Sequence, residues 1–568
     1  MANSIDSSSP RSSLFALAAM LLACTVAPLL AYNLTPSATL FNQLTAVAGW
    51  GLVLVCLGRS QPRWQGGAAV WALLLLLAAP GLSWLTGLPM SLALSGSAMI
   101  TAALLVLLAG QGLDDQARLD WFEIFCWSLL AAGLLSLWVS LVQVFALDWA
   151  DGQIIARSGI PGRAVGNLRQ PNHLASLLMW SCVAAVYLAE GGRLKKIGGA
   201  ITLPALLLGL VLAVVLSASR TGMLAVLILA FWGALDRKLS RASKLSLLAT
   251  PLMLVLCWWL ISFWANAGGH AFGAESRLAE GAGSPSRLAI LANAWELLKS
   301  NPLTGVGWGQ FNLAWSMSPF PQRPIAFFDH THNLPMQLAV ELGLPLSLTV
   351  LGLLGWALWA AFSIKAQGQE ALMRRCAFML VLMIGLHSLL EYPLWYAYFL
   401  LPTAFAFGIA LGRPGPRSRS MAQALPLAGL LMLAGSIYSV TEYLRIVDIY
   451  VSSANAQPLE QRIAVGQRTL LFSTQADYAA ATSLAPGLAA LEAAKRTAHS
   501  LIDARLMESW AKSLHATGDD ERARHVVQRL REFRNPIGDE FLAGCAQPAE
   551  KPFQCEMPTR SFSWREMR

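Results

Sequence analysis

The chain has 568 residues, of which 55% are hydrophobic and only 13% charged, with a formal net charge of +9. Soluble globular proteins carry about 25% charged residues, so this composition excludes a chain built only of ordinary soluble domains. The positive charge does not mark a nucleic-acid module either: residues 441–568 hold 16 basic and 16 acidic side chains, leaving 25 against 16 in the first 440.

A spanning helix needs about 20 apolar residues. In chain order, thirteen candidates stand at about 14–32, 41–58, 67–87, 91–110, 122–148, 173–190, 197–217, 220–235, 245–265, 334–363, 376–391, 395–411 and 422–440. The first is read as a retained span, because no small-x-small cleavage site precedes the next apolar run. With the N-terminus cytoplasmic, one set of alternate connections carries 17 basic residues, including Arg59, Arg193, Lys195, Lys196, Arg374 and Arg375. The opposite side carries eight before the tail: Arg157, Arg163, Arg169, Arg220, Arg277, Arg287, Lys299 and Arg323. This is the positive-inside pattern. The expected fold is therefore all-α. It is a polytopic membrane domain (residues 1–440) of about 13 transmembrane helices, N-terminus in and C-terminus out. A helical outer domain (residues 441–568) follows it.

The same topology sorts the unusual residues. All five histidines before the tail (His173, His270, His330, His332 and His387) fall on the outer side or at an outer helix end. So do two long loops, about 149–172 and 266–333. Ionisable groups are costly in hydrocarbon, and their collection on one membrane face marks a site.

Four stretches of that face carry chemistry. In "GRAVGNLRQPNHLASLL" (Gly162–Leu178), Pro171 suits a first helical turn and places Gln170, Asn172 and His173 at the surface. Asn172 is either an ordinary N-cap or part of a polar site. In "LSASRTGMLA", Arg220 has no carboxylate nearby in sequence. It either snorkels or is kept for an anion that its planar fork binds. In "SPSRLAILANAWELLKSNP", Leu288, Leu291, Trp295 and Leu298 share a helical face, with Ser286 as the cap and Asn301-Pro302 as the stop. Such a helix is expected to lie on the outer leaflet. Arg287 then occupies the first turn, where the helix dipole disfavours a cation, which points to an anionic ligand.

The fourth stretch is "FFDHTHNLPMQLAVELG", with His330 and His332 two residues apart. Zinc needs three or four ligands, and only Asp329, His173, His387 and Glu391 offer themselves, without any HExxH spacing. The other readings are a structural polar cluster and a general base whose imidazole is oriented by a carboxylate, Glu341 or Glu391.

Taken together, "GNLRQPNHLA", "SRTG", "SRLAILANAWELLKSNPLTGVGWGQF" and "HTHNLPMQLAVELG" resemble the O-antigen ligase and polymerase superfamily, in the order found in its bacterial protein O-oligosaccharyltransferases (the PglL type, or pilin glycosylases). The resemblance implies a multi-pass inner-membrane enzyme with a periplasmic site. Such enzymes move a glycan en bloc from an undecaprenyl diphosphate carrier to a Ser or Thr hydroxyl of a periplasmic protein such as pilin, without a metal or other cofactor. It implies His332 as the catalytic histidine, followed by Asn333, and Arg220 and Arg287 as the arginines holding the donor diphosphate. Gln170, Asn172 and His173 belong to the motif of the protein-glycosylating branch. His330 and Glu391 are expected in supporting roles. The nearest alternatives are ligase or polymerase activity on a sugar acceptor. A lipid-linked-glycan transporter is less well matched, since transporters place polar groups at midplane within repeated halves.

The tail reads as helical, and Arg505–Pro536 resembles one tetratricopeptide-like helix pair around Gly518-Asp519. One such unit cannot bury a continuous core alone, so it is expected to pack on its neighbours or on the membrane domain. It is read either as a stabilising cap or as a docking platform for the acceptor. Six of eight cysteines lie in or beside apolar segments, where they act as small hydrophobes. Cys545 and Cys555 stand apart and are candidates for a disulfide in an oxidising periplasm.

Overall fold

A computed structural model describes residues 10–58, 62–63, 65–275, 285–320, 323–451, 453, 456–546 and 552–568. Arg59 and Arg277 of the charge pattern, and residues 276–284 and 321–322 of the second outer loop, lie outside the described residues. The protein is 75% helical, with no strand among the described residues.

The first apolar helices are α1 (Leu14–Leu29), α2 (Leu40–Gly58), α3 (Ala68–Leu85), α4 (Met90–Gly112) and α5 (Asp115–Phe145). Next come α6 (Pro171–Glu190), α7 (Lys195–Ser217), α8 (Arg220–Leu235) and α9 (Thr250–Gly268). Two helices of the long loop before His332 follow, α10 (Pro285–Ser300) and α11 (Phe311–Met317). The membrane set resumes with α12 (Leu334–Ser363), α13 (Gly368–Ser388), α14 (Ala397–Leu411) and α15 (Arg419–Tyr450). Each of the thirteen apolar segments falls on one of these helices. Among the described residues ten are long and apolar enough to cross a membrane, while α1, α8 and α14 are shorter. The chain is a multi-pass membrane protein.

Small residues let these helices meet backbone to backbone, as lipid-embedded packing requires. A methyl on Gly408 of α14 would lie 2.4 Å from Leu107 O of α4, and one on Gly429 of α15 2.3 Å from Gly51 O of α2. The crossing of α12 is different in kind. Its helix is broken at Gly343 (φ 76°, ψ 167°), two residues before Pro345. The break receives the turn after α10: Val306 N and Gly307 N donate to Val340 O and Glu341 O, each at 2.9 Å, and Leu344 N donates to Pro302 O at 2.8 Å. Unpaired backbone around the break is thus satisfied by a second chain segment.

The helix α10 corrects two expectations. It begins at Pro285, so Ser286 lies inside its first turn rather than at its cap. It is also apolar on two sides. Leu288 and Trp295 of the expected stripe are exposed, whereas Ile290, Ala294 and Leu297 are buried in a second core. A single apolar face was too simple for a helix that also packs against the C-terminal helices.

That second core joins this long loop to the C-terminal domain, which comprises α16 (Leu459–Gly466), α17 (Ser473–Ser483), α18 (Leu488–Thr497), α19 (Ala504–Ala516), α20 (Asp520–Phe533) and α21 (Pro536–Leu542). Ile290, Phe311 and Trp315 pack in it with Trp510, Leu530 and Phe533. The helix pair α19–α20 turns at Gly518 (φ 85°), where glycine adopts positive φ without steric cost. Arg323 is buried at the junction, 3.2 Å from Glu532 and 4.8 Å and 4.5 Å from the ring centres of Trp315 and Phe533. Burial pulls its guanidinium down to about 10, against the opposing pull of Glu532. Cys545 and Cys555 form a disulfide, and the other six cysteines form none.

Candidate active site

The histidine stretch is fixed from its C-terminal end. Asn333 caps α12, its Oδ1 accepting from Met336 N at 2.9 Å while its Nδ2 donates to Leu389 O at 3.0 Å. Thr331 N donates to Gln337 Oε1 at 2.8 Å. Between these anchors His332 takes φ +56°, a left-handed conformation that non-glycine residues adopt at a cost of about 1–2 kcal/mol. The two imidazoles therefore do not alternate as they would on an extended strand. Both touch Tyr392: His330 stacks flat on it at 4.3 Å, and His332 meets its edge at 5.1 Å.

Glu391 organises the site. It follows the end of α13 in a turn closed by Glu391 N donating to His387 O at 2.8 Å. Its Oε2 lies 2.5 Å from His332 Nδ1, and its Oε1 accepts from Asn172 Nδ2 at 3.0 Å and from Arg287 Nη2. Burial pushes this carboxyl up, but the His332 hydrogen bond and the charges of His332, Arg287 and His387 outweigh it. The group is held below the usual carboxylate range. An ionised carboxylate only accepts, so the short contact places the proton on His332 Nδ1. In the neutral form of that imidazole, Nε2 is the atom that carries the lone pair.

The carboxylate that orients the imidazole is thus Glu391. Glu341 is buried further along α12, with Phe311 N 3.4 Å from its Oε1. Asn172 is not a cap: Gln170 fills that role, accepting from His173 N at 2.7 Å. Asn172 instead bridges Glu391 to Ser219, whose Oγ donates to Asn172 Oδ1 at 2.6 Å. Ser219 also caps α8, accepting from Gly222 N at 3.1 Å, so the helix that begins with Arg220 is tied to the same cluster.

Two expected residues stand apart. His173 is buried below the cluster, with Tyr398 OH 3.2 Å from its Nδ1 and its ring edge-on to Tyr396 at 4.6 Å. His330 has Nδ1 3.0 Å from Asp329 and lines a neighbouring cavity rather than touching Glu391. That cavity holds about 480 Å³ and is walled by apolar side chains of α3, α4, α12 and α14, among them Leu73, Ile100, Leu354 and Phe407. Asp329, His330, Glu341 and Asn312 stand at its polar end with His499 and Ser500 of the C-terminal domain, and no Lys or Arg is among its described lining. Among the described residues no three His, Cys, Asp or Glu converge as a metal would require.

Sequence reasoning did not single out Ser219 or Tyr392. The "SRTG" segment offered a signal for Ser219, since serine directly before a helix-opening residue is a cap whose hydroxyl proton remains available. No local signal marks Tyr392, whose part follows only from the meeting of two segments sixty residues apart in the chain.

Comparison with known proteins falls on the segments that carry these residues. Residues 164–189, with Gln170, Asn172 and His173, match the family described as protein glycosylation ligase. Residues 205–360, with Arg220, Arg287 and His332, match O-antigen ligase. Residues 376–535, with Glu391 and most of the C-terminal helices, match the C-terminal part of virulence factor membrane-bound polymerase. The chain is 26% identical over 389 residues to the general O-oligosaccharyltransferase of Acinetobacter baylyi, covering 62% of this chain and 64% of that one. It is 25% identical over 255 residues to the ComP-specific O-oligosaccharyltransferase of the same organism, covering 44% of each. The matched region thus spans less than two thirds of either relative. Parts of this chain are thus similar to the O-antigen ligase and protein glycosylation ligase families, and 62% of it is similar to the Acinetobacter general O-oligosaccharyltransferase.

Proposed function

We propose that this protein is an oligosaccharyltransferase that moves a glycan en bloc from an undecaprenyl-diphosphate-linked donor to a Ser or Thr hydroxyl of an acceptor protein such as pilin. The reaction takes place on the periplasmic face of the inner membrane. The observation that carries this reading is the His332–Glu391 pair, with the imidazole held on the carboxylate through Nδ1, set beside Arg287.

The chemistry follows from that arrangement. The acceptor hydroxyl gives its proton to His332 Nε2 as its oxygen bonds to the anomeric carbon. The bond from that carbon to the diphosphate oxygen breaks, and the diphosphate leaves with the electron pair. Glu391 holds the imidazole in the required tautomer and stabilises the imidazolium that forms, as a carboxylate does in hydrolase triads. General-base help of this kind contributes about 10²–10⁴-fold. Arg287 has further N–H groups beyond the one on Glu391, and a third of its side chain is exposed. With Arg220 it is assigned to the charge developing on the leaving diphosphate. The apolar cavity beside His330 has the lining to hold part of the donor's isoprenoid chain. The carboxylates at its end keep the diphosphate on the arginine side.

The test uses purified protein in vesicles with lipid-linked oligosaccharide and a Ser/Thr-containing pilin-like acceptor. The expected result is a mass increase on the protein equal to the whole glycan. The match of residues 376–535 to a polymerase C-terminal part favours one rival, glycan extension. A longer lipid-linked glycan with no mass change on the acceptor would replace this reading with that one.

A further inference from the structure

We propose that Phe533 of the C-terminal domain is a positioning residue for His332. The inference rests on His332 being the base of the reaction proposed above. It goes further by giving the outer domain a part in the chemistry.

The need for such a residue comes from the segment before His332. Among the described residues, the backbone of 324–330 makes no hydrogen bond to other backbone, and it belongs to no helix. Side-chain packing must therefore fix where Phe327 and Phe328 lie, and with them the approach to His332, whose backbone is held at positive φ between Thr331 and Asn333.

A chain of aromatic contacts supplies that packing. Phe533, the last residue of α20, is fully buried. Its ring lies flat on Phe327, with centroids 3.8 Å apart and an interplanar angle of 14°. It meets Trp315 edge-on at 5.5 Å. Trp315 in turn meets Phe328 at 6.0 Å, and Phe328 meets the His332 ring at 5.2 Å and 89°. The neighbouring Glu532 pins the same region, since its Oε2 accepts from Phe320 N at 3.3 Å and from Arg323 Nε at 3.2 Å.

Phe533 touches no substrate in this account. It acts by holding Phe327 and Phe328, and through them the angle at which His332 meets Glu391. A flat ring–ring stack restrains rotation and sliding in a way that an aliphatic side chain of similar bulk does not. Catalytic geometry is sensitive to displacements of this size, and an error of about 1 Å can cost roughly 10²-fold in rate.

The test uses the full-length protein in vesicles with lipid-linked oligosaccharide and the acceptor protein. Phe533→Leu keeps the site apolar and filled but removes the stack. It is expected to lower kcat about 10-fold or more while leaving the donor KM within about twofold. Phe533→Tyr restores a ring and is expected to recover most of kcat. Phe328→Leu is expected to lower kcat in the same way. The double variant Phe328→Leu/Phe533→Leu is expected to lose little more than the worse single variant, because both act through one path. Additive losses, a change confined to KM, or an unchanged kcat in Phe533→Leu would overturn the proposal. If Phe533→Leu does not fold, an unchanged kcat in Phe328→Leu does so instead. The two claims separate cleanly. Transfer retained by His332→Ala defeats the proposed base itself, whereas an inactive His332→Ala beside a fully active Phe533→Leu defeats only the part given to Phe533.

Discussion

At the residue scale, the site reduces to one carboxylate that serves three partners. Glu391 binds His332 through one oxygen and shares the other between Asn172 and Arg287. Glu391→Gln is expected to lower kcat by about 10²–10³-fold without preventing insertion, because an amide can hold the wrong imidazole tautomer. Single-turnover rates in vesicles would check this. Asn172→Ala frees both Glu391 and Ser219 from their bridge and is expected to cost less, since His332 keeps its own hydrogen bond. His330→Ala is expected to leave kcat closer to wild type than His332→Ala does. The types and order of Arg220, Arg287, Asn172 and His332 were legible in the sequence. Which carboxylate pairs with His332 was not, because the sequence offered both Glu341 and Glu391 and no local pattern chooses between them. Only the turn after α13 brings one of them within 2.5 Å.

At the scale of elements, the site depends on the break in α12. Gly343 and Gly305 face each other's segments at positive φ, 76° and 66°, and a methyl on Gly343 would lie 2.3 Å from Leu303 O. Gly343→Ala is therefore expected to destabilise the protein by about 1–3 kcal/mol and lower its thermal midpoint, since both backbone strain and a clash oppose it. Thermal unfolding in detergent would measure this. An unchanged midpoint would mean that the turn after α10 does not support α12. The break itself was hidden in the sequence, where "ELGLPL" continues an apolar run that reads as one long span. The membrane helices were legible by their length and apolar composition. The helix α10 was only half legible, because Ile290, Ala294 and Leu297 face a domain whose position hydropathy cannot give.

At the scale of the molecule, the C-terminal helices are joined to residues 310–317 by two buried histidines. Burial draws His499 down to about 4, with help from Arg568, and draws His525 down to about 4, with help from Arg529. His525 Nε2 donates to Met317 O at 3.1 Å, and His499 Nδ1 donates to Gln310 Oε1 at 2.6 Å. Each histidine is neutral when folded but binds a proton below about 6.5 when exposed by unfolding. The unfolded state then binds more protons, so stability falls as pH drops from about 6.5 toward about 4, by up to roughly 1.4 kcal/mol per pH unit for each group. Thermal midpoints measured across that window should decline, and His525→Gln should flatten the decline. The helical character of this segment was legible in its α19–α20 pair. Its union with the outer loop through Arg323, Trp315 and Phe533 was not, because no periodicity links residues two hundred positions apart. The central claim is that His332 takes a hydroxyl proton while Arg287 supports the leaving diphosphate, and one measurement addresses it most directly. Wild-type protein, His332→Ala and Arg287→Ala are placed in vesicles, equal insertion is verified, and glycan transfer from lipid-linked donor to acceptor protein is followed by mass. Transfer by the wild type alone is the predicted result. Full transfer by both substituted proteins would contradict it.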